Sequence, residues 1–321
     1  MARILCLTLN PALDLTAGVS TITLGSVNRA DGTRLDAAGK GINVARVLAQ
    51  LGHSVTVSGF LGDANAAPFE RLFEDEGLQD EFVRIPGQNR INIKIAEQNG
   101  RVTDLNGPGF EVTETAITQL ERRLASLIPR CDAVVIGGSL PASFSEASLV
   151  TLITGINDAA KPVWLDTSGE ALKAGVKATP TAVKPNIDEL ADWAGEPQGS
   201  LAEVADTATR LQSSGISQVI VSMGPGGVLW LRPGGSLRSV PPTVSVVSTV
   251  GAGDTLLAGM VHGDLSGHGA EQVLAFATAL SVECVQHVGV GNPVAPTFQK
   301  LLAQTRVQPW PGENNNGEMP L

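Results

Sequence analysis

Short continuous apolar runs alternate along this chain with longer segments of helical spacing, and most of them end on glycine, proline or asparagine. Ile4-Leu5-Cys6-Leu7-Thr8-Leu9, closed by Asn10-Pro11, predicts a buried strand and a turn. Over 16–35 the helical period disappears, and alternating Thr, Val, Ser and Gly predict short strands outside a main sheet. Val44, Val47, Leu48 and Leu51 then share one face of a helix that opens at Gly39-Lys40-Gly41 and stops at Gly52. A strand is predicted over 55–62 and a helix over 68–76. Strand alternation returns over 82–104, most clearly in Arg90-Ile91-Asn92-Ile93-Lys94-Ile95.

Beyond Val112 the alternation is regular. Helices are predicted over 115–127, 149–156 and 201–211, and strands over 133–136, 163–166, 182–186 and 219–222. The β-branched run Val246-Val247-Ser248-Thr249-Val250 predicts one more strand. It leads through Gly251-Ala252-Gly253 into a helix carrying Leu257, Val261 and Leu265, and the apolar stretch 270–287 predicts a buried helix. Strands and helices alternating in this way mean an α/β fold: a doubly wound, mostly parallel sheet flanked by helices, with right-handed crossovers. We expect a single domain over 1–306 with a small β-sheet lid from about 14–36 and 84–108. A disordered tail is expected over 307–321, where Pro309, Pro311 and Asn314-Asn315-Asn316 cluster.

Composition narrows the class. The 321 residues are 43% hydrophobic, enough for a large core, and the 36 glycines and 19 prolines are spread among apolar segments. A net charge of −10 argues against nucleic acid as a partner. An anionic substrate stays open, because local basic residues decide that. Cys6, Cys131 and Cys284 are far apart in apolar runs and predict buried free thiols in a reducing cytoplasm. His53, His262, His268 and His287 form no metal-ligand pattern. The first apolar run is too short for a signal peptide, and no segment reaches the roughly 20 apolar residues of a membrane span. A cytoplasmic protein with no membrane partner is expected.

Residues able to carry chemistry collect just past the predicted strands: Asp14, Ser139, Asp166, Asn186, Ser222 and Asp254. Doubly wound sheets bind ligands at that edge. The passage at 246–257 is the strongest feature, because a glycine turn into a helix leaves the first N–H groups unpaired. With the helix dipole they make an anion site, and Gly251 and Gly253 let a large anion approach the backbone. Asp254 beside it is repelled by a phosphate unless it is a general base for a substrate hydroxyl; capping the helix is the simpler alternative. An unperturbed Asp, with a pKa of about 3.9, is ionised at neutral pH. Gly39-Lys40-Gly41 is not a Walker A loop, but Lys40 and Asn43 at that helix start suit a sugar hydroxyl or phosphate. Arg90 has the fork that matches phosphate oxygens and equally fits a solvent-facing strand. Ser222-Met223-Gly224-Pro225-Gly226-Gly227 suits phosphate or ribose contact, or a plain hairpin. No GxGxxG follows the first strand, which argues against a nicotinamide-dependent oxidoreductase.

Several motifs in order, spread over residues 3–306, resemble the ribokinase-like carbohydrate kinases of the phosphofructokinase-B branch. They are Thr8-Leu9-Asn10-Pro11-Ala12-Leu13-Asp14, Ala38-Gly39-Lys40-Gly41-Ile42-Asn43-Val44-Ala45, Arg90-Ile91-Asn92-Ile93-Lys94, Gly138-Ser139-Leu140-Pro141, Val183-Lys184-Pro185-Asn186 and Ser248-Thr249-Val250-Gly251-Ala252-Gly253-Asp254. Lys40, Gly59-Phe60-Leu61-Gly62 and Trp193-Ala194-Gly195 look most like the bacterial 1-phosphofructokinases of that branch. The resemblance implies ATP- and Mg²⁺-dependent phosphorylation of D-fructose 1-phosphate to fructose 1,6-bisphosphate. Tagatose-6-phosphate kinase or 6-phosphofructokinase is the alternative, and a non-catalytic sugar-phosphate sensor a more distant one. It implies Asp254 as base, with Gly251, Ala252 and Gly253 as anion hole. Asp14, Gly39, Lys40, Asn43, Arg90 and Ser139 would line the sugar-phosphate pocket, and Lys184, Asn186, Ser222, Gly224 and Gly227 would contact ATP. Asn186 and Glu189 match an Asn-x-x-Glu pattern that organises magnesium, mainly through water. The lid would close over the sugar and pair with a second subunit, making a homodimer. Leu105-Asn106-Gly107-Pro108 departs from the family pattern in that lid.

Overall fold

The computed structural model describes residues 1–310. In chain order its strands are β1 (Arg3–Thr8), β2 (Ala12–Val19), β3 (Gly32–Ala38), β4 (Ser54–Gly62), β5 (Gln79–Ile85), β6 (Arg90–Glu97), β7 (Val102–Leu105), β8 (Ala133–Gly137), β9 (Val163–Asp166), β10 (Ala182–Val183), β11 (Gln218–Ser222), β12 (Val228–Leu231), β13 (Ser236–Val240) and β14 (Arg306–Trp310). The helices are α1 (Lys40–Gln50), α2 (Ala67–Asp75), α3 (Glu114–Leu127), α4 (Glu146–Asp158), α5 (Gly169–Lys177), α6 (Ile187–Ala194), α7 (Leu201–Ser213), α8 (Ala252–Leu265), α9 (Ala270–Cys284) and α10 (Phe298–Gln304).

Every residue of β1 after Arg3 is buried, because β1 lies inside the main sheet with helices on both faces. That sheet has ten strands in the order β14-β13-β12-β11-β10-β9-β8-β1-β4-β5. It is parallel from β5 to β11, and β12, β13 and β14 extend it antiparallel. β1 pairs with β4 on one side and β8 on the other, so the strand order reverses there and opens a crevice at the carboxyl ends. One face is covered by α1, α8 and α9 through side chains such as Val44, Met260 and Leu280. The opposite face is covered by α3, α4 and α7 through Leu120, Ile153 and Leu211. α8 is buried on nearly all sides, which is why its sequence lacks a polar stripe.

A second sheet, ordered β3-β2-β6-β7, stands apart from the first. β2 runs parallel to β6, with Ala12 opposite Arg90 and Asp14 opposite Asn92. Alternation along a strand puts Arg90, Asn92 and Lys94 on one face and Ile91 and Ile93 on the other; Ile91, Ile93, Leu35 and Leu105 are exposed.

Several expectations are corrected. Residues 246–250 form no strand: Val246 and Val247 are exposed, and the N–H groups of Val247 and Ser248 both donate to the Val285 carbonyl (2.8 and 3.2 Å). β-branched residues favour a sheet only where a partner strand is available. The predicted strand 182–186 shrinks to β10, and Asn186 instead caps α6. Helices α5 and α6 were not foreseen. Arg84 and Ile85, expected in the lid, belong to β5 at the main-sheet edge. Residues 307–310, expected to be disordered, lie in the edge strand β14, where Pro309 pairs opposite Leu237; an edge tolerates the missing N–H of proline. The remainder of the expected tail, 311–321, lies outside the described residues. All three cysteines are buried and unpaired. Among the described residues no helix is long and apolar enough to cross a membrane.

Candidate active site

Two helix N-termini meet above the carboxyl edge of the main sheet. α1 and α8 pack side by side, and Asn43 in the first turn of α1 donates through Nδ2 to Asp254 Oδ2 in the first turn of α8 (2.7 Å). The N-cap residues are Gly39 and Gly251, which offer their helices no side chain. Gly251 has φ 82°, and a Cβ there would stand 2.7 Å from the Gly289 carbonyl oxygen, so the turn into α8 requires glycine. The N–H of Ala252 is drawn back to the Thr249 carbonyl (3.3 Å). Those of Gly253 and Asp254 take no backbone partner among the described residues. Asp254 does not cap α8; its carboxylate is turned to Asn43 and the cleft.

Asp254 is only 6% exposed. Burial pushes its carboxyl up, the Asp166 charge adds to the rise, and Lys40, Asn43 and Lys184 oppose it, leaving it at about 6. It is mostly ionised at neutral pH, by a narrower margin than an exposed Asp.

Asp166, the last residue of β9, is fully buried between two lysines. Its Oδ1 accepts from Lys40 Nζ (2.9 Å), and its Oδ2 lies 3.1 Å from Lys184 Nζ. Burial works to raise the Asp166 carboxyl, but the two ammonium groups hold it below the usual carboxylate range. Lys40 also reaches Glu189 Oε1 (3.3 Å). Burial pulls Lys40 down, yet Asp166, Glu189 and Asp254 together carry it above the ordinary lysine value. Glu189 Oε2 accepts from the Asn186 N–H (2.9 Å) and Asn186 Oδ1 from the Glu189 N–H (2.8 Å), a capping box that starts α6.

The small sheet supplies the facing wall. Asp14 Oδ1 accepts from Asn92 Nδ2 (3.0 Å), and Oδ2 pairs with Lys94 Nζ (2.7 Å). Arg90 Nη1 donates to the Gly107 carbonyl (3.4 Å), while its buried Nε has no partner among the described residues. Burial draws the Arg90 guanidinium below its ordinary value, and Asp14 offsets part of that. A fork with uncommitted donors is suited to an anion.

These walls enclose a cleft of about 370 Å³, in the range of small-ligand sites. Asp14, Gly39, Lys40, Asn43, Arg90, Lys184, Asn186, Glu189, Ser222, Gly251, Gly253 and Asp254 all line it. Four expected residues do not. Ala252 turns its carbonyl away to accept from Ser281 Oγ (2.9 Å). Ser139 Oγ accepts from Asn10 Nδ2 (3.3 Å) outside the cleft. Gly224 and Gly227 sit in the β11–β12 hairpin, where a Cβ on Gly227 would run into the Ser239 carbonyl; close strand approach explains that glycine. Asp166, Asn92 and Thr249 line the cleft without having been singled out as site residues, and Lys94 braces it. Asp166 stood among the strand-end polar residues, and Asn92 and Lys94 follow Arg90 at the period of two that shares a strand face. Among the described residues no cluster of three or more acidic, His or Cys groups could hold a metal unaided.

Comparison with known proteins agrees with this geometry. The profile of the pfkB family carbohydrate kinases matches residues 7–297. The chain is 45% identical over 305 residues to the 1-phosphofructokinase of Vibrio cholerae, covering 95% of this chain and 96% of that one. It is 40% identical over 308 residues to the 1-phosphofructokinase of Escherichia coli K12, covering 96% and 99%. Phosphofructokinase-2 from Escherichia coli, solved in complex with substrates and products, superposes with a TM-score of 0.86 at 28% identity, covering 94% of this chain and 98% of that one. A further structure of phosphofructokinase-2 is of its tetrameric inhibited form. With a cleft built on two glycine-led helix starts and a family profile spanning nearly its whole described length, the chain belongs to the pfkB family of carbohydrate kinases.

Proposed function

We propose that this chain transfers the γ-phosphoryl group of ATP to the free primary hydroxyl of D-fructose 1-phosphate, giving fructose 1,6-bisphosphate. The observation that carries the reading is Asp254: a buried, mostly ionised carboxylate facing the cleft at a helix start where the N–H groups of Gly253 and Asp254 take no backbone partner among the described residues. The substrate follows from the names of its relatives.

Asp254 takes the hydroxyl proton as that oxygen attacks the γ-phosphorus, and a pKa of about 6 makes it a stronger acceptor than an exposed Asp. Asn43 holds the carboxylate in position. The amides of Gly251, Gly253 and Asp254 stabilise the charge on the phosphoryl group in flight. Arg90 binds the phosphate already on the sugar, and Asp14, fixed by Asn92 and Lys94, accepts from sugar hydroxyls. Lys184 and Ser222 serve the nucleotide side of the cleft. Asp166 and Glu189 have the hard oxygen donors that suit Mg²⁺, and the buried Asp166 Oδ2 lacks a well-formed hydrogen bond. Mg²⁺ needs few protein ligands, because it keeps waters and takes phosphate oxygens; there it would neutralise phosphate charge. Three buried, unpaired cysteines support a reducing, cytoplasmic setting.

The test is kcat/KM by coupled ADP release, with Mg-ATP and fructose 1-phosphate, fructose 6-phosphate or tagatose 6-phosphate. A preference of about 10²-fold or more for fructose 1-phosphate is expected. A preference for either 6-phosphate would transfer the mechanism to the alternative kinases, and no turnover with any acceptor would overturn the kinase reading.

The outer face of the small sheet pairs with a second copy. Leu35, Ile91, Ile93 and Leu105 are apolar and exposed together, on the side away from Arg90 and Asn92. Wild-type protein is expected to run as a dimer in light scattering and Ile93→Lys as a monomer. A monomeric wild type would remove this interface.

A further inference from the structure

We infer that Lys40 is an exchangeable counter-ion: its ammonium lies between Asp166 and Glu189, and it moves to the nucleotide's phosphates when a divalent cation takes that position. The inference rests on the kinase reading. Asp166 Oδ1 faces Lys40 at 2.9 Å and Oδ2 faces Lys184 at 3.1 Å. Glu189 Oε1 faces Lys40 at 3.3 Å, and Oε2 accepts from the Asn186 N–H at 2.9 Å. Each oxygen already has a positive or donating neighbour, and among the described residues no metal-holding cluster forms. Lys40 Nζ sits on both Asp166 Oδ1 and Glu189 Oε1, so a divalent cation shared by the two carboxylates requires a neighbour to leave.

Only one of them is built to leave. The Asn186 N–H is backbone, fixed by the capping box of α6. Lys184 has a side chain only 4% exposed, with Nζ packed against Gly253, where an added Cβ would stand 3.2 Å away. Lys40 is 35% exposed, against 4% for Lys184, and carries its charge on a flexible four-carbon stem. Its backbone is anchored as the first residue of α1, so the head can swing while the helix stays. The buried Asp166 Oδ2 has Lys184 in ion-pair range but not in hydrogen-bond geometry, so that oxygen is incompletely satisfied.

Charge gives the exchange its direction. Asp166, Glu189 and Asp254 bring three negative charges and Lys40 and Lys184 two positive ones, so this end of the cleft keeps one net negative charge with Lys40 in place. When Lys40 turns to phosphate, two carboxylates lose a cation in a site of low dielectric and attract a replacement strongly. The lysine thereby makes divalent-cation binding conditional on the nucleotide, whose phosphates offer the ammonium another partner.

Binding of Mn²⁺ alone to nucleotide-free protein, read from the free-ion EPR signal, tests this without sugar or turnover. A wrong substrate assignment therefore leaves the result intact, and a negative result here leaves the kinase reading intact. Lys40→Met is expected to bind Mn²⁺ about tenfold or more tighter than wild type. Lys40→Arg should stay weak, and Lys40→Met combined with Glu189→Gln should lose the gain. Equal affinity of Lys40→Met and wild type, or a gain that survives Glu189→Gln, would overturn the inference. If Lys40→Met does not fold, Lys40→Gln, which also lacks the charge, is measured in its place with the same two outcomes.

Discussion

Asp254→Asn is expected to lower kcat by roughly 10²- to 10⁴-fold while raising the melting temperature at pH 7.5. Loss of turnover follows from removing the base. The gain in stability follows from burial, because folding lifts this carboxyl from 3.8 to about 6. A raised folded pKa means the contribution to stability is complete below the unfolded value and is lost as pH rises through about 6. At neutral pH the ionised carboxylate therefore costs the fold stability, on the order of 3 kcal/mol for a displacement of about two pH units. Asparagine removes that charge and keeps an oxygen to accept from Asn43. A rise of several degrees is expected by scanning calorimetry, and the difference should close near pH 4, where the wild-type carboxyl is protonated. The same group predicts that wild-type kcat/KM falls below about pH 6, roughly tenfold per pH unit, and that Asp254→Asn lacks this limb. A folded variant that binds ATP and keeps near wild-type kcat would remove Asp254 from the role of base.

Single residues of this cleft are legible in the sequence; their pairings are not. Gly39 and Gly251 mark helix starts by composition alone, and Lys40, Asn43 and Asp254 follow them within one turn. Yet Asn43 meets Asp254 across 211 positions and Lys40 meets Asp166 across 126. Only the doubly wound topology, which gathers strand ends on one edge, makes such residues neighbours. Asp166 shows the consequence. As a polar residue after a strand it was visible, but its importance lies in two lysines that no local pattern connects to it.

Other misreadings have local causes. Asn186-x-x-Glu189 also has the spacing of a capping box, and that second meaning of the pattern marks the short helix α6 absent from the predicted elements. Val246–Val250 has strand propensity without a strand to pair with. Residues 307–310 read as a tail because Pro309 and Pro311 weigh heavily in composition, whereas one proline is acceptable at a sheet edge.

The buried ion pair makes a second large effect testable. Asp166→Ala is expected to cost about 3–5 kcal/mol of stability, the usual penalty for removing one partner of a buried pair. Lys184 bears most of this loss: its side chain is only 4% exposed, and without Asp166 its ammonium has no compensating charge within ion-pair distance among the described residues. Lys40 bears little, since at 35% exposure it can turn to water. Adding Lys184→Met to Asp166→Ala should therefore recover most of the loss in urea unfolding, and adding Lys40→Met should not. The acid limb follows from the opposite displacement. Lys184 and Lys40 outweigh burial and hold the Asp166 carboxyl low, so its contribution is present above the unfolded value and is lost as pH falls through the lower folded one. The gap between wild type and Asp166→Ala should narrow only below about pH 4. A loss under about 1 kcal/mol for Asp166→Ala at neutral pH would mean that Lys184 finds water or another acceptor, and that the pair serves the phosphates of the substrate rather than the fold.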